Sequence, residues 1–225
     1  MLDLGLAAFL FAASHLIPAM PPVRRPLVAR LGARLYGGLY GTLSLVLLGW
    51  LLWTWSQAPF VPLWQAAWTR WVPAVAMPVA SILLVVAATQ PNPLSLALPK
   101  QDFAPHRPGL LAVTRHPFVW ALTLWALAHI PPNGDLAALL LFGPLALLGP
   151  LGALSLDAKR RALLGRETWR RMAANTGSLP FLALLGGRVR YRPAGGDALR
   201  VIFGLLLFKI LYAMHTDVIG MPPHP

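Results

Sequence analysis

The chain has 225 residues, of which 57% are apolar and 12% are Asp, Glu, Lys or Arg. A soluble domain of this size averages about 45–50% apolar and about 25% charged, and the surplus exceeds what one soluble core can bury. The net charge of +12 comes from 19 basic and 7 acidic residues. The basic residues lie in short segments between apolar runs, so topogenic charge accounts for them better than a nucleic-acid partner does. Cysteine is absent, which excludes disulfides, thiolate metal sites and covalently attached haem. This is the composition of an integral membrane protein.

Six apolar runs follow one another: Leu2–Met20, Leu35–Trp55, Trp71–Thr89, Pro117–Pro131, Leu136–Leu156 and Leu199–Ala213. Crossing a bilayer takes about 20 helical residues, and the two shorter runs reach that length if flanking Arg or Lys side chains snorkel. The reading is an all-α, polytopic helical bundle of about six transmembrane helices, one domain over residues 1–225. The stretch Ser178–Gly187 is too short to span and is expected in the interface. The first run opens without a basic flank and is followed by Arg24, Arg25, Arg30 and Arg34, which is the pattern of an anchor and not of a cleaved signal. Placing that flank inside puts Lys100, Arg107 and Arg115 inside as well. It also places inside a basic segment before the last span, with ten Lys or Arg from Lys159 to Arg200. Only Arg70 and Lys209 then fall outside, so both termini are expected on the outer face. Trp50, Trp53, Trp55, Trp64, Trp68 and Trp71 crowd the outer connection between runs two and three, as an aromatic belt does.

His15, His116, His129 and His215 lie in or at the ends of the runs. Ionisable groups at membrane depth are costly and face the bundle interior, so each is a functional candidate. Neutral imidazole is also the commonest metal ligand, and pairs of His hold haem between helices. His116, bracketed by Arg115 and Pro117, starts a helix, where it serves as an anchor or meets an anion. His15 and His129 are offset in depth by about 10 Å at 1.5 Å per residue. His15 and His116 lie at more similar depth, and spacing alone leaves both pairings open. Asp157 and Glu167, set among Arg residues, read as partners in internal ion pairs. His106 and His224 read as solvated loop residues. Gly32, Gly37, Gly38 and Gly41 give run two a small-residue face suited to close helix packing.

Several segments together resemble the NnrU family. These are Ser14-His15-Leu16, then Leu31-Gly32-Ala33-Arg34-Leu35-Tyr36, then Thr114-Arg115-His116-Pro117 with Trp125-Ala126-Leu127-Ala128-His129 on the same helix. Leu164-Gly165-Arg166-Glu167-Thr168-Trp169 and Thr176-Gly177-Ser178-Leu179-Pro180-Phe181 complete the set. NnrU proteins are associated with nitrite and nitric oxide metabolism in denitrification, and the family includes the haem b enzyme 15-cis-zeta-carotene isomerase. The resemblance implies a bacterial inner-membrane protein with haem b on His15 and His129, and Arg115 and His116 as neighbouring cofactor-site positions. It implies a hydrophobic or small redox substrate. The Arg115-His116-Pro117 start with a downstream Glu167 is also similar to isoprenylcysteine carboxyl methyltransferases, which implies an S-adenosylmethionine site there. A third reading is a non-enzymatic accessory factor of a membrane oxidoreductase.

Overall fold

A computed structural model describes residues 1–96 and 103–223; Lys100 and His224 lie outside the described residues. The described residues form eight α-helices: α1 (Leu2–Leu16), α2 (Pro21–Ser56), α3 (Trp71–Thr89), α4 (Pro117–Asn133), α5 (Leu136–Leu164), α6 (Arg166–Ala173), α7 (Leu182–Leu185) and α8 (Asp197–Ile219). They contain no strand, only an isolated bridge between Pro62 and Asp135. The protein is all-α, and four of its helices (α2, α3 with its leading turn, α5 and α8) are long and apolar enough to cross a membrane. α1 and α4 have 15 and 17 residues. At 1.5 Å per residue they fall a few ångströms short of an apolar layer about 30 Å thick.

Each apolar run is helical, with ends that differ from the run for local reasons. α1 ends at Leu16, with Ile17 still at helical angles and bonded to Ala13 O, and Pro18 follows with no N–H to carry the ladder on. α2 begins at Pro21, well upstream of Leu35, because proline is tolerated in a first turn. Gly32 then interrupts α2 with φ 75° and ψ 156°, a conformation that costs a side-chain-bearing residue and not glycine. The result is an Arg-bearing arm, 21–31, joined to an apolar shaft. α5 continues beyond Leu156 through Asp157, Arg160 and Arg161 and ends at Gly165. α8 continues beyond Ala213 to Ile219 and so takes His215 into the helix. Ser178–Gly187 holds only the single turn of α7.

α5 packs against α1, α2 and α4, while α3 joins α4 to α8. Trp55, Trp64, Arg70, Asn133, Asp135 and Met221 line one cleft. The ends of α2, α4 and α8 and the starts of α3 and α5 therefore share one side, the Trp-rich end. At the opposite end Arg200, near the start of α8, donates from Nε to Thr89 Oγ1 at the end of α3 over 3.2 Å. α4 and α8 run in the same direction, each antiparallel to α3.

The core around α5 contains Leu4, Ala7, Phe11, Leu51, Ala126 and Phe142. Lipid offers helices no hydrophobic drive to associate, so close backbone approach must supply the packing. Gly149 on α5 faces Thr123, and Gly204 on α8 faces the backbone of Ile82, each with no room for a Cβ. The outer faces carry exposed leucines such as Leu45, Leu147 and Leu154, as a lipid-facing surface requires.

Candidate functional site

The chemistry-bearing side chains gather at the two ends of the bundle. At the end opposite the tryptophans, His116 caps α4 and is wholly buried. Its Nε2 donates to Asp157 Oδ1 at 3.0 Å, and its Nδ1 meets Ser95 Oγ at 2.9 Å. A carboxylate only accepts, so Nε2 carries hydrogen, and Nδ1 is engaged by a hydroxyl that can donate or accept. Arg115 Nε donates to Asp157 Oδ1 at 2.7 Å, and a second guanidinium nitrogen reaches Oδ2. This is a bidentate ion pair shared with an imidazole and almost sealed from solvent. The guanidinium of Arg115 also lies 5.4 Å from the Trp169 ring, which Arg161 covers at 4.4 Å.

Backbone ties hold this cluster. Arg115 N donates to Gly177 O at 2.7 Å and Phe181 N to Val113 O at 3.1 Å. Thr114 Oγ1 and Trp120 Nε1 both donate to Ser178 O, at 2.9 and 2.8 Å. Thr114–Pro117 and Thr176–Phe181, two separated sequence motifs, therefore form one knot. Asn92 Nδ2 donates to Arg115 O at 2.8 Å and brings the Ser95 loop to it. Asp157 is the ion-pair partner the sequence suggested; Glu167 is exposed on α6 and makes no ion pair among the described residues. Arg115 and His116 direct their polar atoms to Asp157 and Ser95. The role of Ser95 had no signal in the sequence: it lies in a loop without a motif, 21 residues from His116.

The remaining histidines are different. His15 Nδ1 donates to Phe11 O at 2.8 Å and His129 Nδ1 to Trp125 O at 2.7 Å, each four residues back on its own helix. His215 Nδ1 donates to Met221 O at 2.7 Å. A carbonyl also only accepts, so in all three Nδ1 carries hydrogen and the neutral ring keeps its lone pair on Nε2. His15 sits by Phe11 and Tyr40, ring centres 4.4 and 5.8 Å away. His129 sits by Trp125 and Phe142 at 5.7 and 5.4 Å, and His215 faces it from α8 with ring centres 6.4 Å apart and planes 18° from parallel. Of the four site residues read from the sequence, Arg115 and His116 are brought together, while His15 and His129 stand on different helices in separate aromatic surroundings. His106 is exposed, as expected of a loop residue.

The NnrU protein family model matches residues 3–223. The chain belongs to the NnrU family. No curated protein and no solved structure matches it. Among the NnrU motifs, those around Arg115 and Ser178 form the knot just described, and that around His129 presents an imidazole with one nitrogen free.

Proposed function

We propose that this NnrU protein is a haem b protein of the bacterial inner membrane, linked to nitrite and nitric oxide metabolism or acting as a haem-dependent isomerase. In this reading six helices cross the bilayer, with α1 and α4 completed by interfacial residues, and both termini are periplasmic. The observation that carries the reading is the state of the span-borne imidazoles. His15, His129 and His215 each give Nδ1–H to a backbone carbonyl. That is the outer hydrogen bond which fixes tautomer and ring orientation in metal-ligating histidines. In a chain without cysteine, these nitrogens are the donors suited to iron. His129 and, by the family resemblance, His15 would hold the iron. His116 has both nitrogens engaged and serves instead to tie α4 to α5.

Bound haem supplies an iron that passes single electrons and takes up small diatomic ligands. The chain's part is to orient imidazole through Nδ1, to exclude water with Phe11, Tyr40, Trp125 and Phe142, and to hold the helix ends in register through Arg115, His116 and Asp157. The test is purification in mild detergent from a haem-replete host, followed by absorption spectroscopy and pigment extraction. A Soret band with pigment extractable into acid acetone is expected. Colourless protein overturns the reading.

A further inference from the structure

We infer that the basic end of the bundle holds one anionic phospholipid by its phosphate, in a cavity lined by Arg115, Trp169, Arg170, Ser178 and Arg188. The site lies at the end opposite the tryptophans and is independent of the haem reading. Charge decides the class of ligand. Three guanidinium groups meet at the cavity wall, and a fourth, that of Arg161, lies 4.4 Å from the ring of Trp169. The carboxylate that Arg115 reaches, Asp157, is shared with His116. Arg161, Arg170 and Arg188 form no ion pair among the described residues. A wall so biased favours an anion and repels a cation.

Unspent donors decide the chemical group. A guanidinium carries five N–H donors in a planar fork that matches the oxygens of a phosphate. Arg115 gives Nε and one terminal nitrogen to Asp157, and its other terminal nitrogen has no acceptor among the described residues. Arg188 gives one terminal nitrogen to Thr176 O at 3.0 Å, which ties the side chain to the knot and leaves its remaining donors for a ligand. Trp169 adds a buried indole N–H without an acceptor among the described residues. Donors are thus in excess of acceptors, and two of the three guanidinium groups are already anchored before a ligand arrives. The cavity holds about 320 Å³, room for roughly ten waters at about 30 Å³ each, which suits a phosphate with its ester oxygens.

The surroundings make that phosphate a lipid's. Leu179, Phe181, Leu182 and Leu185 follow Ser178 directly and are exposed, and the single turn of α7 is too short to span. A soluble phosphate makes no use of these apolar side chains. A phospholipid seats its headgroup among the arginines and lays its acyl chains along them, as lipids do at basic pockets on the inner face of membrane proteins.

The experiment strips lipid from the full-length protein in neutral detergent. It then titrates phosphatidylglycerol, phosphatidylcholine or inorganic phosphate and counts bound molecules by native mass spectrometry. One saturable phosphatidylglycerol is expected, at least about tenfold tighter than phosphatidylcholine, whose choline offsets the phosphate charge. Arg170→Gln combined with Arg188→Gln is expected to weaken it at least about tenfold. Both side chains are exposed, so the fold should survive, and an unchanged unfolding midpoint checks this. Arg25→Gln combined with Arg30→Gln removes equal charge from the arm of α2 and is expected to change the affinity less than about threefold. Equal losses in the two double variants, or no preference for phosphatidylglycerol over phosphatidylcholine, overturn the assignment. Inorganic phosphate that binds through Arg170 and Arg188 as tightly as the lipid overturns the lipid source in favour of a soluble phosphate. Colourless protein that binds phosphatidylglycerol as described leaves this site standing while the haem reading falls.

Discussion

Removing the Asp157 carboxylate strands Arg115. The Arg115 and Asp157 side chains are only 8% and 13% exposed, and the guanidinium has no other acidic partner among the described residues. Breaking one side of a buried pair costs about 3–5 kcal/mol, because the remaining charge stays desolvated and uncompensated. Asp157→Ala also removes the acceptor of His116 Nε2, so the upper half of that range is expected. At roughly 2–4 °C per kcal/mol for a chain of this size, the midpoint of thermal unfolding should fall by about 8–20 °C. Replacing both partners, Arg115→Met with Asp157→Leu, leaves no stranded charge and should cost less than either single truncation. The assay is a double-mutant cycle by denaturant unfolding in mixed micelles. A coupling of at least about 1 kcal/mol is expected for residues in contact. Single variants that each cost under about 1 kcal/mol, or costs that simply add, would refute the account of Arg115, His116 and Asp157 as one electrostatic unit.

Other outcomes are expected elsewhere in the molecule. Reporter fusions after Arg192 should read cytoplasmic and after Pro223 periplasmic, and a cytoplasmic reading after Pro223 would remove one span from the proposed six. Gly204→Leu should part α8 from α3, because a Cβ there meets the backbone of Ile82; cross-linking between cysteines placed near Ile82 and Gly204 would be lost, whereas Gly5→Ala, with open space around it, should leave the fold unchanged. If the protein carries haem as proposed, lowering pH should weaken its ligation, since protons compete with iron for the Nε2 lone pair; ligation that strengthens as pH falls would refute this. Calorimetry with S-adenosylmethionine should give no heat above dilution, and saturable binding abolished by Glu167→Ala would revive the methyl-transfer reading.

The apolar runs of the sequence locate every long helix because membrane helices satisfy their backbone internally and so follow apolar composition. The pairing of Asp157 was also legible: a lone carboxylate in a field of arginines has few stable alternatives. Helix ends were less so. The apolar pattern of run six thins after Ala213, where Thr216 and Asp217 dilute it, yet the helix holds to Ile219 and caps at Gly220. The break at Gly32 left no mark either, since a small residue among leucines reads equally as a packing face. Ser95 stayed invisible because its contact with His116 depends on a loop brought in by Asn92, a tertiary fact without periodicity.

The separation of α4 from α8 along the chain has a consequence for biosynthesis. Between His129 and His215 the ribosome adds 86 residues, which takes about 4–17 s at elongation rates of roughly 5–20 residues per second. Through that interval α4 presents one imidazole and α8 does not yet exist. α8 then docks on α3, and only that docking brings the His215 ring to 6.4 Å from that of His129. The stacked pair of imidazoles is therefore a late product of assembly, and chains truncated before His215 should leave the His129 ring uncovered on the side that α8 occupies.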